Sequence, residues 1–111
     1  MITQIGAFRE YELVLCSGFD SVRGIIGREK ILENRILVFR NCPQIHSFFA
    51  QQPFYATFIE ANYRTYECVQ MLPNRLSMIK SWNTICLESK DLLSASEIES
   101  VIKLFSEKNF K

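Results

Sequence analysis

His46 is the only histidine of the chain and lies in "IHSFFAQQPFYATFIE", with Ser47 directly after it and Glu60 the next carboxylate along. An imidazole titrates near neutral pH and can act as a general base, but that chemistry also needs a nucleophile and an orienting acid. Ser47 and Glu60 are the nearest candidates, and neither sits in a triad order or a nucleophile elbow. A hydrogen-bonded structural histidine is the simpler expectation. In "RGIIGR", the glycines could let backbone approach an anion held by Arg23 and Arg28. The spacing is not that of a phosphate loop, however, and no Lys-Ser or Lys-Thr follows. Phe48, Phe49, Phe54, Tyr55 and Phe58 supply the apolar surface of a cleft or of a core. Strand alternation would turn only some of them inward, leaving the others for a ligand or a partner. Trp82 suits either an interface anchor or a lid over the core.

Cys42 and His46 are spaced as two metal ligands could be. Zinc usually takes four ligands, and Cys68 and Cys86 supply no second close pair, so no metal is expected, and no other cofactor. Cysteines at 16, 42, 68 and 86 include no CxxC pair. The first residues, "MITQIGAFREYELV", lack the basic start and apolar stretch of a secretory signal. These features together predict reduced thiols in a cytoplasmic protein.

The elements that must position these side chains follow from periodicity. "AFREYELVLCS" (Ala7 to Ser17) alternates, with Tyr11, Leu13 and Leu15 on one face and Glu10, Glu12 and Val14 on the other, as a half-buried strand does. Phe19, Val22, Ile25 and Ile26 fall on one face of a short helix that Gly27 ends. "RILVFR" (Arg35 to Arg40) is an apolar run bounded by charge, the pattern of a buried strand. "QIHSFFA" reads as extended, and Phe54 to Met71 as a β-hairpin turning at "EANYR", where Asn62 tolerates a left-handed backbone. "LPNRLS" is a loop, and Asn83 to Ser89 another strand. Ser94 and Glu97 form a capping box for a C-terminal helix. Its Ile98, Val101, Ile102 and Phe105 make an apolar stripe, with acidic residues early and Lys103 and Lys108 late, as the helix dipole favours.

Apolar residues make up 48% and aromatics 13% of 111 residues, enough to offset the entropy of ordering one core but not two. Residues 1–111 are therefore expected to form a single domain. Thirteen basic and twelve acidic residues, spread along the chain, give a net charge of +1. Nucleic acid is therefore not the expected partner, since phosphate binding needs clustered cations. Arg23, Arg28, Lys30, Arg35 and Arg40 are read as a solvated face. No apolar stretch approaches the ~20 residues of a membrane span.

The order of the blocks "RGIIGR", "ILVF", "IHSFF", "PFYATFIE", "LPNRLS" and "TICLES" resembles that of the prokaryotic family called domain of unknown function 192, over about residues 11 to 89. The resemblance implies a bacterial protein with a small, barrel-like, largely antiparallel sheet and short helices. It implies no reaction; the pilus and secretion loci of some members imply an accessory or binding role. The chain departs from the family pattern at Tyr55, where an acidic residue is usual, and at Ala50, Gln51 and Gln52 in place of Met, Lys and Asn. Ala61 and Asn62 replace the usual Asp-Gly turn, and the capped helix replaces a closing strand.

These readings together predict an α+β fold, mainly antiparallel β, with a C-terminal amphipathic helix. The expected function is non-catalytic binding of a small ligand or a protein partner, through Arg23, Arg28, His46, Phe48 and Tyr55. Two alternatives come from other classes: a small hydrolase or lyase using His46 as general base, and a structural subunit of a homo-oligomer.

Overall fold

The computed structural model describes residues 2–8, 11–16, 35–42, 44–47, 52–60, 62–81 and 83–107. Among these residues six strands, β1 (Ile2–Phe8), β2 (Tyr11–Cys16), β3 (Arg35–Phe39), β4 (Phe54–Ile59), β5 (Tyr66–Met71) and β6 (Ile85–Ser89), precede one helix, α1 (Ala95–Glu107). They form a single sheet in the order β1-β2-β3-β6-β4-β5. All neighbouring pairs are antiparallel except β2 and β3, which run parallel. A parallel pair needs a crossover of a dozen or more residues, and the segment 17–34 is long enough to supply it. The short helix expected at 19–27 lies outside the described residues, as do Arg23 and Arg28.

The sheet is open, with β1 and β5 at its edges, so the barrel-like expectation holds only loosely. Both of its faces are buried. Leu13, Ile36, Val38, Ile59, Ile85 and Leu87 form one face, against which Ile98, Val101 and Phe105 of α1 pack. Val14, Leu37, Phe39, Phe54, Ala56, Phe58 and Cys86 belong to the other, joined by Ile45. The half-buried strand expected at β2 is thus buried on both sides, because Val14 and Cys16 face the second cluster. In β3 the uninterrupted run from Ile36 to Phe39 has the same cause.

Two strands occupy the stretch where one was expected to begin at Ala7. The N-terminal β1 escapes a periodicity reading because its register shifts between Gln4 and Gly6, which breaks the alternation of the sequence. The hairpin forms as expected, with Phe54 opposite Met71 and Ile59 opposite Tyr66. Its turn differs in detail. Tyr63, at φ 60, takes the left-handed backbone, while Asn62 accepts bonds at its Oδ1 from the N–H groups of Arg64 (2.8 Å) and Thr65 (3.2 Å). An Asx turn therefore replaces the left-handed asparagine. The capping box on α1 is complete: Glu97 N–H donates to Ser94 Oγ (3.1 Å) and Ser94 N–H to Glu97 Oε1 (3.0 Å).

Candidate binding site

Gln44 to Ser47 lies along the segment 72–77 as a small antiparallel flap, with His46 bridged to Leu76. Ser77 N–H donates to Ile45 C=O (3.0 Å), Ser47 N–H to Arg75 C=O (2.9 Å), and Asn74 N–H to Ser47 C=O (2.8 Å). Ile45 and Ser47 are buried beneath the flap, so alternation turns the half-buried His46 the other way, to the side of Leu76. Ser47 clasps the flap: its Oγ donates to Leu72 C=O and accepts from Arg75 N–H (2.8 Å). A hydroxyl engaged in this way is structural and leaves His46 without the neighbouring serine nucleophile. Ser47→Ala should cost about 0.5–1.5 kcal/mol, because it removes hydrogen bonds to the part-buried Leu72 carbonyl and Arg75 N–H. Urea unfolding checks this, and a loss within ±0.5 kcal/mol would show that the clasp is dispensable.

Between the flap and the sheet edge lies an open cleft of about 330 Å³. Its floor is Phe58 and Val69, its far wall Leu76 and Met78, and its rim Arg75 and Lys80. The sequence positions these groups simply. Glu67, Val69 and Met71 alternate onto one face of β5, and Pro73 with Asn74 (φ 61) turns the chain back over that face. Lys80 pairs with Glu67 and holds its Nζ 5.8 Å from the Phe58 ring centroid, a cation–π contact. Arg75 keeps Nη1 near the carbonyls of Pro73 (3.5 Å) and Asn74 (3.3 Å) on an exposed side chain. A smaller hollow of about 260 Å³, lined by Glu60, Thr65, Tyr66 and Thr84, lies nearby and shares Phe58, Glu67 and Lys80. Beyond the cleft, Met78 is 79% and Ile79 76% exposed.

The expected site residues are only partly assembled here. His46 is bridged to Leu76, which lines the cleft, but His46 itself is not among the lining residues. Tyr55 alternates with Phe54 and Ala56 and so faces the opposite side of the sheet, toward the layer of Thr57 and Ile59. Tyr55 and His46 therefore do not converge. Arg23, Arg28 and Phe48 lie outside the described residues. Arg35, read as part of a solvated basic face, is bonded through Nε to Glu12 Oε2 at 2.7 Å.

A second group of polar side chains lies on the face of the sheet formed by Leu37, Phe39, Ala56 and Cys86, hereafter the inner face. Glu88 sits between Leu37 and Ala56 at 2% exposure, and its Oε1 has no hydrogen-bond partner. Burial, reinforced by the nearby Cys42, pushes its pKa up to about 8. Cys86, two residues earlier on the same face, is fully buried, and its thiol is raised well above the usual value by burial and by its bond to Cys42. Cys42 is half-buried; the hydrogen bond from Cys86 holds its pKa below the usual value, against the opposing effect of burial. Among the described residues no three His, Cys, Asp or Glu side chains are placed to hold a metal ion.

Sequence reasoning missed Arg75, Met78 and Lys80, although "LSMI" in a non-periodic stretch after Pro73 was a usable signal of apolar residues with no strand or helix to bury them. It missed Glu88 too, although a carboxylate at the same parity as Cys86 in a buried strand was visible. No helix among the described residues is long and apolar enough to cross a membrane. Comparison with family models, with curated proteins and with solved structures yields no match.

Proposed function

We propose that the chain is a non-catalytic binding domain and that the cleft between β5 and Leu72 to Lys80 takes its ligand, a small molecule with an apolar body and one anionic end. The observation that carries this reading is the pairing of an apolar floor and wall, Phe58, Val69 and Met78, with the exposed Arg75 at the rim. The volume lies at the lower end of the range of small-ligand sites, roughly 300–1,000 Å³. Lys80 contributes less positive charge, because Glu67 already neutralises it. Resemblance to domain of unknown function 192 supports the same class, an accessory domain.

Octanoate is a suitable probe, since it joins a short apolar chain to a carboxylate. In a titration followed by backbone amide NMR, the amides of Gln70, Leu72, Arg75, Leu76 and Met78 should shift, and Leu76→Asp should weaken binding at least tenfold. Binding unchanged by Leu76→Asp, or shifts centred elsewhere, would sink the proposal. Ester turnover abolished by His46→Ala would instead favour a hydrolase. Self-association that blocks the same amides would favour a homo-oligomer.

A further inference from the structure

Two of the four cysteines are brought together by a backbone feature that strand periodicity alone would not produce. Phe39 stands opposite Cys86 on the inner face. Counting by twos from Phe39 would put Asn41 on that face and turn Cys42 to the other. Asn41 instead adopts φ 50, a left-handed conformation that asparagine tolerates better than most residues. The alternation is reset there, and Cys42 packs against the inner cluster with Cys86. Cys42 N–H donates to Thr84 C=O at 2.8 Å, which ties the residue to the start of β6, two positions from Cys86. The result is one half-exposed thiol, donating to Gln44 C=O (3.5 Å), packed on the cluster that holds the buried thiol of Cys86.

We propose that Cys42 and Cys86 are a reactive dithiol that exchanges with low-molecular-weight disulfides, with Cys42 as the attacking sulfur and Cys86 as the resolving one. Cys42 is the more accessible of the two, and the two thiols shift in opposite directions, Cys42 down beside its neighbour Cys86 and Cys86 up through burial. In the first step the Cys42 thiolate attacks one sulfur of the small disulfide. A Cys42 mixed disulfide forms, and one small thiolate leaves, taking up the proton that Cys42 has released to solvent. In the second step Cys86 attacks the Cys42 sulfur. The protein disulfide forms, the second small thiolate departs, and the proton of Cys86 passes to it. One small disulfide is thereby reduced to two thiols, and the two cysteines are oxidised by the same two electrons. The other cysteines differ. Cys68 faces the helix side of the sheet, where its Sγ lies 3.5 Å from Thr57 Oγ1, and Cys16 is buried. This site is separate from the cleft, and its test does not depend on ligand binding.

The full chain would be incubated with oxidised glutathione under native conditions, quenched with N-ethylmaleimide and mapped by peptide mass spectrometry. The expected product has lost two hydrogens and carries a peptide pair cross-linked from Cys42 to Cys86, with Cys16 and Cys68 alkylated only after unfolding. Cys86→Ala should trap glutathione on Cys42, whereas Cys42→Ser should lose both the cross-link and the adduct. Because Cys42 is half-exposed, that serine variant tests the proposal even if the buried Cys86 does not tolerate replacement. A cross-link between other cysteines, a stable glutathione adduct on wild-type Cys42, or four thiols inert until unfolding would overturn it.

Discussion

Glu88→Met is expected to stabilise the fold by roughly 3 kcal/mol at neutral pH and to flatten its pH profile. The ordinary pKa of this carboxyl is 4.5, and in the fold it is pushed up to about 8. Between those values the folded chain holds a proton that the unfolded chain has released. Its contribution is complete below the unfolded pKa and is lost as pH rises through the folded one, at about 1.4 kcal/mol per pH unit. Methionine has no such titration, fills a similar volume and removes the unpaired buried Oε1. Denaturant unfolding of both proteins across that window should give two curves that diverge with rising pH. Parallel curves would show that Glu88 is ionised in the fold, with a partner or water reaching its carboxylate.

Phe105→Ala should cost about 3–5 kcal/mol, a large share of the stability of a typical domain. The ring is 1% exposed and lies in the cluster with Leu13, Ile36, Val38 and Leu87. A cavity there loosens the helix whose Ile98, Val101 and Phe105 pack on this face of the sheet. Lys103→Ala, on the exposed side of the same helix, should stay within about ±0.5 kcal/mol. If thermal and urea unfolding showed similar losses for the two variants, α1 would owe its stability to its own cap and not to packing on the sheet.

The C-terminal helix was legible down to its capping bonds because everything that fixes its start is local, within four residues of Ser94. The hairpin from Phe54 to Met71 was legible for the same reason, its strands being joined directly by a turn. The left-handed residue in that turn moved from Asn62 to Tyr63 because the Asn62 side chain was used as an acceptor instead. The candidate site was much less legible. Tyr55 and His46 are close in sequence, yet Tyr55 lies on the face of β4 that α1 covers, whereas His46 lies outside the strands, bridged to Leu76. The cleft depends on how far the segment after Pro73 folds back over β5, which no periodicity records.

Local sequence was enough to place β2 to β6 and α1 with its cap, because these depend on neighbours a few positions apart. Tertiary structure alone decided that β2 and β3 run parallel and that the sheet stays open with both faces covered. It also decided that Glu88 is buried without a partner for Oε1 and that Cys42 meets Cys86. Those outcomes depend on which distant strands become neighbours, and a residue's burial and charge state are set by neighbours that the chain order does not specify.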